Sequence, residues 1–158
     1  MTVNELKTAF KEALQPLGFL RKGNSWYDTS EEVIVVVNLQ KSNYSNTVYL
    51  NLGFWLQKLE VSEYPPVHQC HIQTRACSLW PEGTPRPEEG PPRIADLFEL
   101  EDYPCDDDRR LTLIKEWISL KLVPTLKSAM TVSGLQNLVT QHEGMGVMRI
   151  ARETLGLD

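Results

Sequence analysis

The chain has 158 residues, 41% of them hydrophobic and 23% charged, with a formal net charge of −5 and a sequence pI of about 5.3. That size and composition fit one globular domain, 1–158, able to bury its own core without metals or disulfides. The acidic balance excludes a basic nucleic-acid clamp, and the longest apolar run, 33–37, is far short of the roughly 20 residues a membrane span needs.

In chain order, the first predicted element is a helix over 2–17. Val3, Leu6, Phe10, Ala13, Leu14 and Leu17 recur at helical steps, which gathers them on one face. Thr2 suits the N-cap, Glu5 is placed to close a capping box, and Gly18 marks the stop. Residues 19–23 and 25–29 read as short strands joined at the turn dipeptide Gly23-Asn24. The β-branched stretch 33–40 reads as a largely buried strand, and the alternating stretch 47–55 as its partner. A further strand is expected over 69–79. The segment 81–93 holds five of the ten prolines, which bars a helix or a central strand and predicts a loop. Helices are expected over 109–122, 132–141 and 147–155, with Pro124 ending or kinking the first and Gly144-Met145-Gly146 turning between the other two. The order is that of an α+β fold: an N-terminal helix, an antiparallel sheet of four or five strands, and C-terminal helices packed on one face, for which the apolar face is the natural choice.

Two surfaces draw attention. A turn at 43–46 pairs Ser42 with Thr47, which sets Val37 and Leu39 opposite Leu52 and Leu50 on an apolar face. The other face then carries Asn38 opposite Asn51 and Gln40 opposite Tyr49. Asparagine is a poor strand residue, so two in opposition need a reason, either a ladder of side-chain hydrogen bonds or a binding surface for a small ligand or a peptide backbone. If 69–79 is a regular strand, His71 and Arg75 project together and could extend that surface. The second surface is acidic. Residues 81–108 hold ten acidic and two basic residues, so all of the excess negative charge sits there. Asp96, Glu99, Glu101, Asp102, Asp106, Asp107 and Asp108 are the candidate partner-binding residues. The plainer reading is a solvated loop with acids favouring a helix N-terminus.

Other chemistry is poorly supported. His68, Cys70 and His71 lie close together, but a zinc site wants a second ligand pair, and adjacent strand residues face opposite ways; no metal and no cofactor are expected. Cys77 and His71 are too far apart in a strand for a nucleophile and its base, and no phosphate-binding or serine-hydrolase motif is present. No catalytic residue is assigned. Three cysteines, Cys70, Cys77 and Cys105, make an odd count without a framework spacing. Together with an N-terminus lacking a signal-peptide core, they point to a reducing cytoplasm.

Several stretches resemble a known family. Leu14-Gln15-Pro16-Leu17-Gly18-Phe19 and Arg21 to Tyr27, then Val37-Asn38-Leu39-Gln40-Lys41-Ser42, Asn51-Leu52-Gly53 and Cys70-His71-Ile72 with Arg75, resemble the uncharacterised, mainly bacterial domain of unknown function 4304 over about residues 6–75. The resemblance implies a small α+β domain and no particular activity. Its motif falls on Asn38, Gln40, Ser42 and Asn51.

The leading expectation is a non-enzymatic binding protein: an immunity-type, antitoxin-like inhibitor that caps a bacterial toxin. Its acidic surface would complement a basic toxin or nuclease domain. That expectation rests on charge and on analogy with small acidic motif-free domains. The alternative is a small-molecule or peptide-binding module using Asn38, Gln40, Tyr49, Asn51, His71 and Arg75. Neither reading involves direct contact with nucleic acid or a membrane.

Overall fold

Helix α1 (Val3–Leu14) starts where the sequence says it must. The Thr2 side chain accepts from the Glu5 N–H, and the Glu5 carboxylate accepts from the Thr2 N–H, so two otherwise orphaned donors are satisfied. A single 3-10 turn (Gln15–Leu17) follows, and Gly18 ends it in the left-handed conformation at φ 91°. The structure, a computed structural model, describes residues 1–80, 98–100 and 106–157. The proline-rich segment 81–93 lies outside the described residues.

The next elements form a meander. Strands β1 (Leu20–Lys22), β2 (Ser25–Thr29), β3 (Val33–Lys41), β4 (Val48–Leu56), β5 (Ile72–Arg75) and β6 (Gly146–Val147) pair antiparallel in that order in one six-stranded sheet. Between β3 and β4 the register is the expected one: Val37 faces Leu52, Asn38 faces Asn51, Leu39 faces Leu50 and Gln40 faces Tyr49. The expected strand over 69–79 is shorter. It stops at Arg75, and the chain turns at once into the one-turn helix α2 (Ala76–Leu79). Cys77 and Leu79 therefore leave the sheet. The glycine-flanked stretch expected as a plain turn between helices instead supplies β6, which pairs with Ile72 and Gln73.

Helix α3 (Asp107–Trp117) is capped by Asp106, whose side chain accepts from the Arg109 N–H at 2.8 Å. Pro124 does not end the helix. A π-helical turn (Ile118–Leu122) precedes it, in which the Val123 N–H reaches back to the Ile118 carbonyl, and the chain continues as α4 (Val123–Ser128). Proline lacks a donor and its ring crowds the carbonyl four residues back; a wider turn relieves both problems. Helices α5 (Val132–Gln141) and α6 (Arg149–Thr154) complete the chain.

The helices cover the apolar sheet face. Val35, Val37, Leu50, Leu52 and Phe54 belong to one buried cluster with Leu6, Phe10, Leu14, Ile114, Ile118, Leu122 and Leu126. Each fully buried aliphatic side chain in it contributes about 1.5–3 kcal/mol. A buried arginine ties in the stretch 98–100: Arg110, 1% exposed, donates to the carbonyl oxygens of Glu99 and Leu100. Among the described residues, no helix is long and apolar enough to cross a membrane.

Candidate functional site

The opposite, outer face of the sheet is divided. One half is covered by the β4–β5 connection. There Tyr27, Ile34, Val36, Trp55 and Cys70 form a second buried cluster with Val67 against it. Gly53 makes this possible, because a Cβ at that position would lie 2.7 Å from Cys70 Sγ.

The other half is polar and open. Lys22, Ser25, Asn38, Asn51 and Arg75 stand in register on five successive strands, forming one row across the sheet. Hydrogen bonds run along it. Asn38 Nδ2 donates to Ser25 Oγ at 2.9 Å, and Asn51 Nδ2 donates to Asn38 Oδ1 at 3.2 Å and to Gln40 Oε1 at 2.9 Å. These bonds fix the amide orientations, so the paired asparagines act as a ladder. At one end the Arg75 guanidinium stacks on the Tyr49 ring, with its central carbon 3.9 Å from the centroid. At the other end Lys22 Nζ lies 4.0 Å from the centre of Tyr64. Both cations thus lean on aromatic faces, a geometry that holds them while leaving N–H groups pointing outward.

Arg75 also borders two half-open cavities. One, of about 320 Å3, is lined by Gln40, Asn51, Val67, His68, Gln73 and Thr74. The other, of about 280 Å3, is lined by Val48, Tyr49, Leu50, Ala76, Cys77 and Phe98, together with Thr47 and Glu99. Amides, a phenol and a guanidinium can hold a ligand by hydrogen bonds and charge.

His71 is on this face in sequence register but outside the open cluster. It is 7% exposed, its ring packs 4.3 Å from that of Trp55, and its Nδ1 accepts the Leu56 N–H at 2.9 Å. The ring stands in for a strand partner where β5 has not yet begun. Burial lowers its pKa, opposed by the charge of Glu60. Cys70 is a core thiol whose pKa burial pushes up to about 12.

The acidic candidates divide as well. Asp96, Glu101 and Asp102 lie outside the described residues, as does Cys105. Asp106 is the α3 cap. Asp107 sits 3.0 Å from the Met1 ammonium and 3.9 Å from Arg110, and Asp108 occupies the exposed first turn, where the helix dipole favours it. Glu99 is half-buried beside Thr47, whose hydroxyl donates to its carboxylate at 2.6 Å. Among the described residues, no group of three or more His, Cys, Asp or Glu side chains could hold a metal ion.

Sequence reasoning missed Lys22, Ser25 and Tyr64, whereas Gln73, expected to project together with His71 and Arg75 from a strand over 69–79, does stand in β5. Ser25 was within reach, because the tight Gly23-Asn24 turn fixes β2 and the short 30–32 turn sets it against β3. Tyr64 depends on the irregular β4–β5 connection, which carries no periodic signal.

No curated protein and no solved structure matches the chain. A family model described as Domain of unknown function (DUF4304) matches residues 10–128. That span contains the whole amide row and continues through the acidic segment into α4, well beyond the resemblance over 6–75. The chain belongs to the domain of unknown function 4304 family.

Proposed function

We propose that this chain is a non-enzymatic binding protein whose recognition surface is the open half of the outer sheet face. The observation that carries this reading is the in-register row of bonded amides ending at Arg75, a cation that makes no ion pair among the described residues. A row whose side chains already hold each other in place loses little freedom when a ligand docks. The inner face supplies the core, so stability alone does not require polar groups locked together on the outer one.

The test is capture from the lysate of the native host, with proteins and small molecules both identified by mass spectrometry. Wild type is compared with an Asn38→Ala/Gln40→Ala pair whose folding is verified by thermal melting. Loss of a captured species in the folded pair supports the reading. Equal capture by both sinks it.

A second reading has one observation in its favour, the eight excess negative charges in 81–108. In it the chain is an immunity-type inhibitor that caps a basic toxin or nuclease domain. Asp106 and Asp107 already serve α3, which leaves Asp108, Glu99 and the acids outside the described residues to meet a partner. Capture of a basic protein that is released by salt and by charge reversal within 96–108, but not by the Asn38/Gln40 pair, would favour this reading.

A further inference from the structure

We propose that the open face receives the C-terminus of a peptide, with Arg75 holding the terminal carboxylate and the neighbouring apolar cavity taking the last side chain. This rests on the reading of that face as the recognition surface.

Three features meet at Arg75, and each suits one part of a chain end. The guanidinium is stacked on Tyr49 at 3.9 Å. A stacked guanidinium presents its edge, and that edge forks onto a carboxylate with two parallel N–H donors. On one side lies the cavity of about 280 Å3 whose walls include Val48, Leu50, Ala76 and Phe98. That volume falls just below the range for ligand sites, roughly 300–1,000 Å3, and suits a single aliphatic or aromatic side chain. Glu99 also lines this cavity, and its carboxylate accepts from the Thr47 hydroxyl. On the other side lie Gln40 and Asn51, lining the cavity of about 320 Å3. Asn51 Nδ2 is used within the row, so the Asn51 carbonyl oxygen and the Gln40 amide nitrogen are the groups turned to a ligand. One acceptor and one donor are what a passing peptide unit needs. A charged head, an apolar side group and an amide backbone in that order describe a polypeptide terminus. A simple inorganic anion would leave the cavity empty, and a fatty acid would leave the amides unmatched.

The experiment titrates the full chain with acetylated tripeptides ending in Leu, Ile, Val or Phe, followed by backbone and side-chain amide NMR. Shifts at Gln40, Asn51 and Arg75 are expected with the free acid. Affinity should fall about tenfold or more when the peptide is C-terminally amidated, and by a similar factor in Arg75→Gln, with partial recovery in Arg75→Lys. Plugging the cavity with Cys77→Phe should weaken the apolar-ended peptides but not acetylated triglycine. Equal binding of acid and amide overturns the carboxylate anchor while leaving the surface reading intact. An absence of shifts with every peptide overturns the peptide assignment, and lysate capture lost in the Asn38→Ala/Gln40→Ala pair would then still uphold the surface. Octanoate serves as the competing case: if it binds more tightly than every peptide, the ligand is a small amphipathic acid and the proposal fails.

Discussion

Replacing His71 with alanine is expected to cost about 2–4 kcal/mol of folding stability. The Leu56 N–H, on a residue 0% exposed, would lose the acceptor it now has at 2.9 Å. A buried donor left unpaired costs about 1–3 kcal/mol, and the lost ring contact with Trp55 adds about 0.5–1.5 kcal/mol. For a chain of this length that corresponds to a fall in Tm of roughly 4–16 °C. The effect also has a pH signature. Burial holds the folded ring below the ordinary histidine value, so as pH falls through about 6.5 the unfolded chain takes up a proton that the folded one resists. Protonation of Nδ1 would in addition remove the lone pair that Leu56 uses. The His71 contribution is therefore complete above that pH and declines below it. Urea denaturation of wild type and His71→Ala between about pH 8 and 5 measures it. The stability gap should narrow toward acid. A gap that is constant or widens would refute the assignment of His71 as a neutral strand-end acceptor.

Three further outcomes follow from the same geometry. Gly53→Ala should destabilise by about 1–3 kcal/mol, since its Cβ would meet Cys70 Sγ at 2.7 Å; adding Cys70→Ala should recover part of that loss, and strict additivity in the double-mutant cycle would contradict the clash. Asp106→Ala should lower stability by about 0.5–2 kcal/mol through loss of the α3 cap, an effect absent from thermal melts if the residue serves a partner alone. In thiol labelling of the folded protein read by peptide mass spectrometry, exposed Cys77 should react well before Cys70, which, buried and pushed up to about 12, should wait for unfolding; rapid native labelling of Cys70 would count against the second buried cluster.

Much of the sheet was legible because its signals are periodic. The β-branched run 33–40 and the alternation in 47–55, joined by a short polar turn, fix the register and with it the Asn38–Asn51 pair. The helix start at Thr2 follows from a side-chain cap that needs only local sequence. What escaped has no local signature. A two-residue strand such as β6 acquires its identity from the Ile72 and Gln73 it meets. The end of β5 at Arg75 is set by the turn into α2, although the stretch 69–79 reads as extended by composition. His71 looked like a member of the polar face because strand parity places it there. Parity says nothing of the β4–β5 connection that buries one half of that face and leaves the other open.

The meander order of the sheet also bears on how the chain reaches its native state. Each of the first five strands finds its partner in an adjacent stretch of chain, so loop closure is cheap and these hairpins can assemble early. Their apolar face finds only part of its cover, α1, in an adjacent stretch. It is covered by α1 together with α3, and the Glu12–Lys115 ion pair that ties those two helices joins residues 103 apart in sequence. A nascent chain that has released α1 and the first five strands therefore holds a sheet whose inner side is only partly covered until the C-terminal third is synthesised. During that interval the bonded amides of the outer row keep one side wetted and resistant to stacking, so self-association of the growing chain is confined to the side the helices later close.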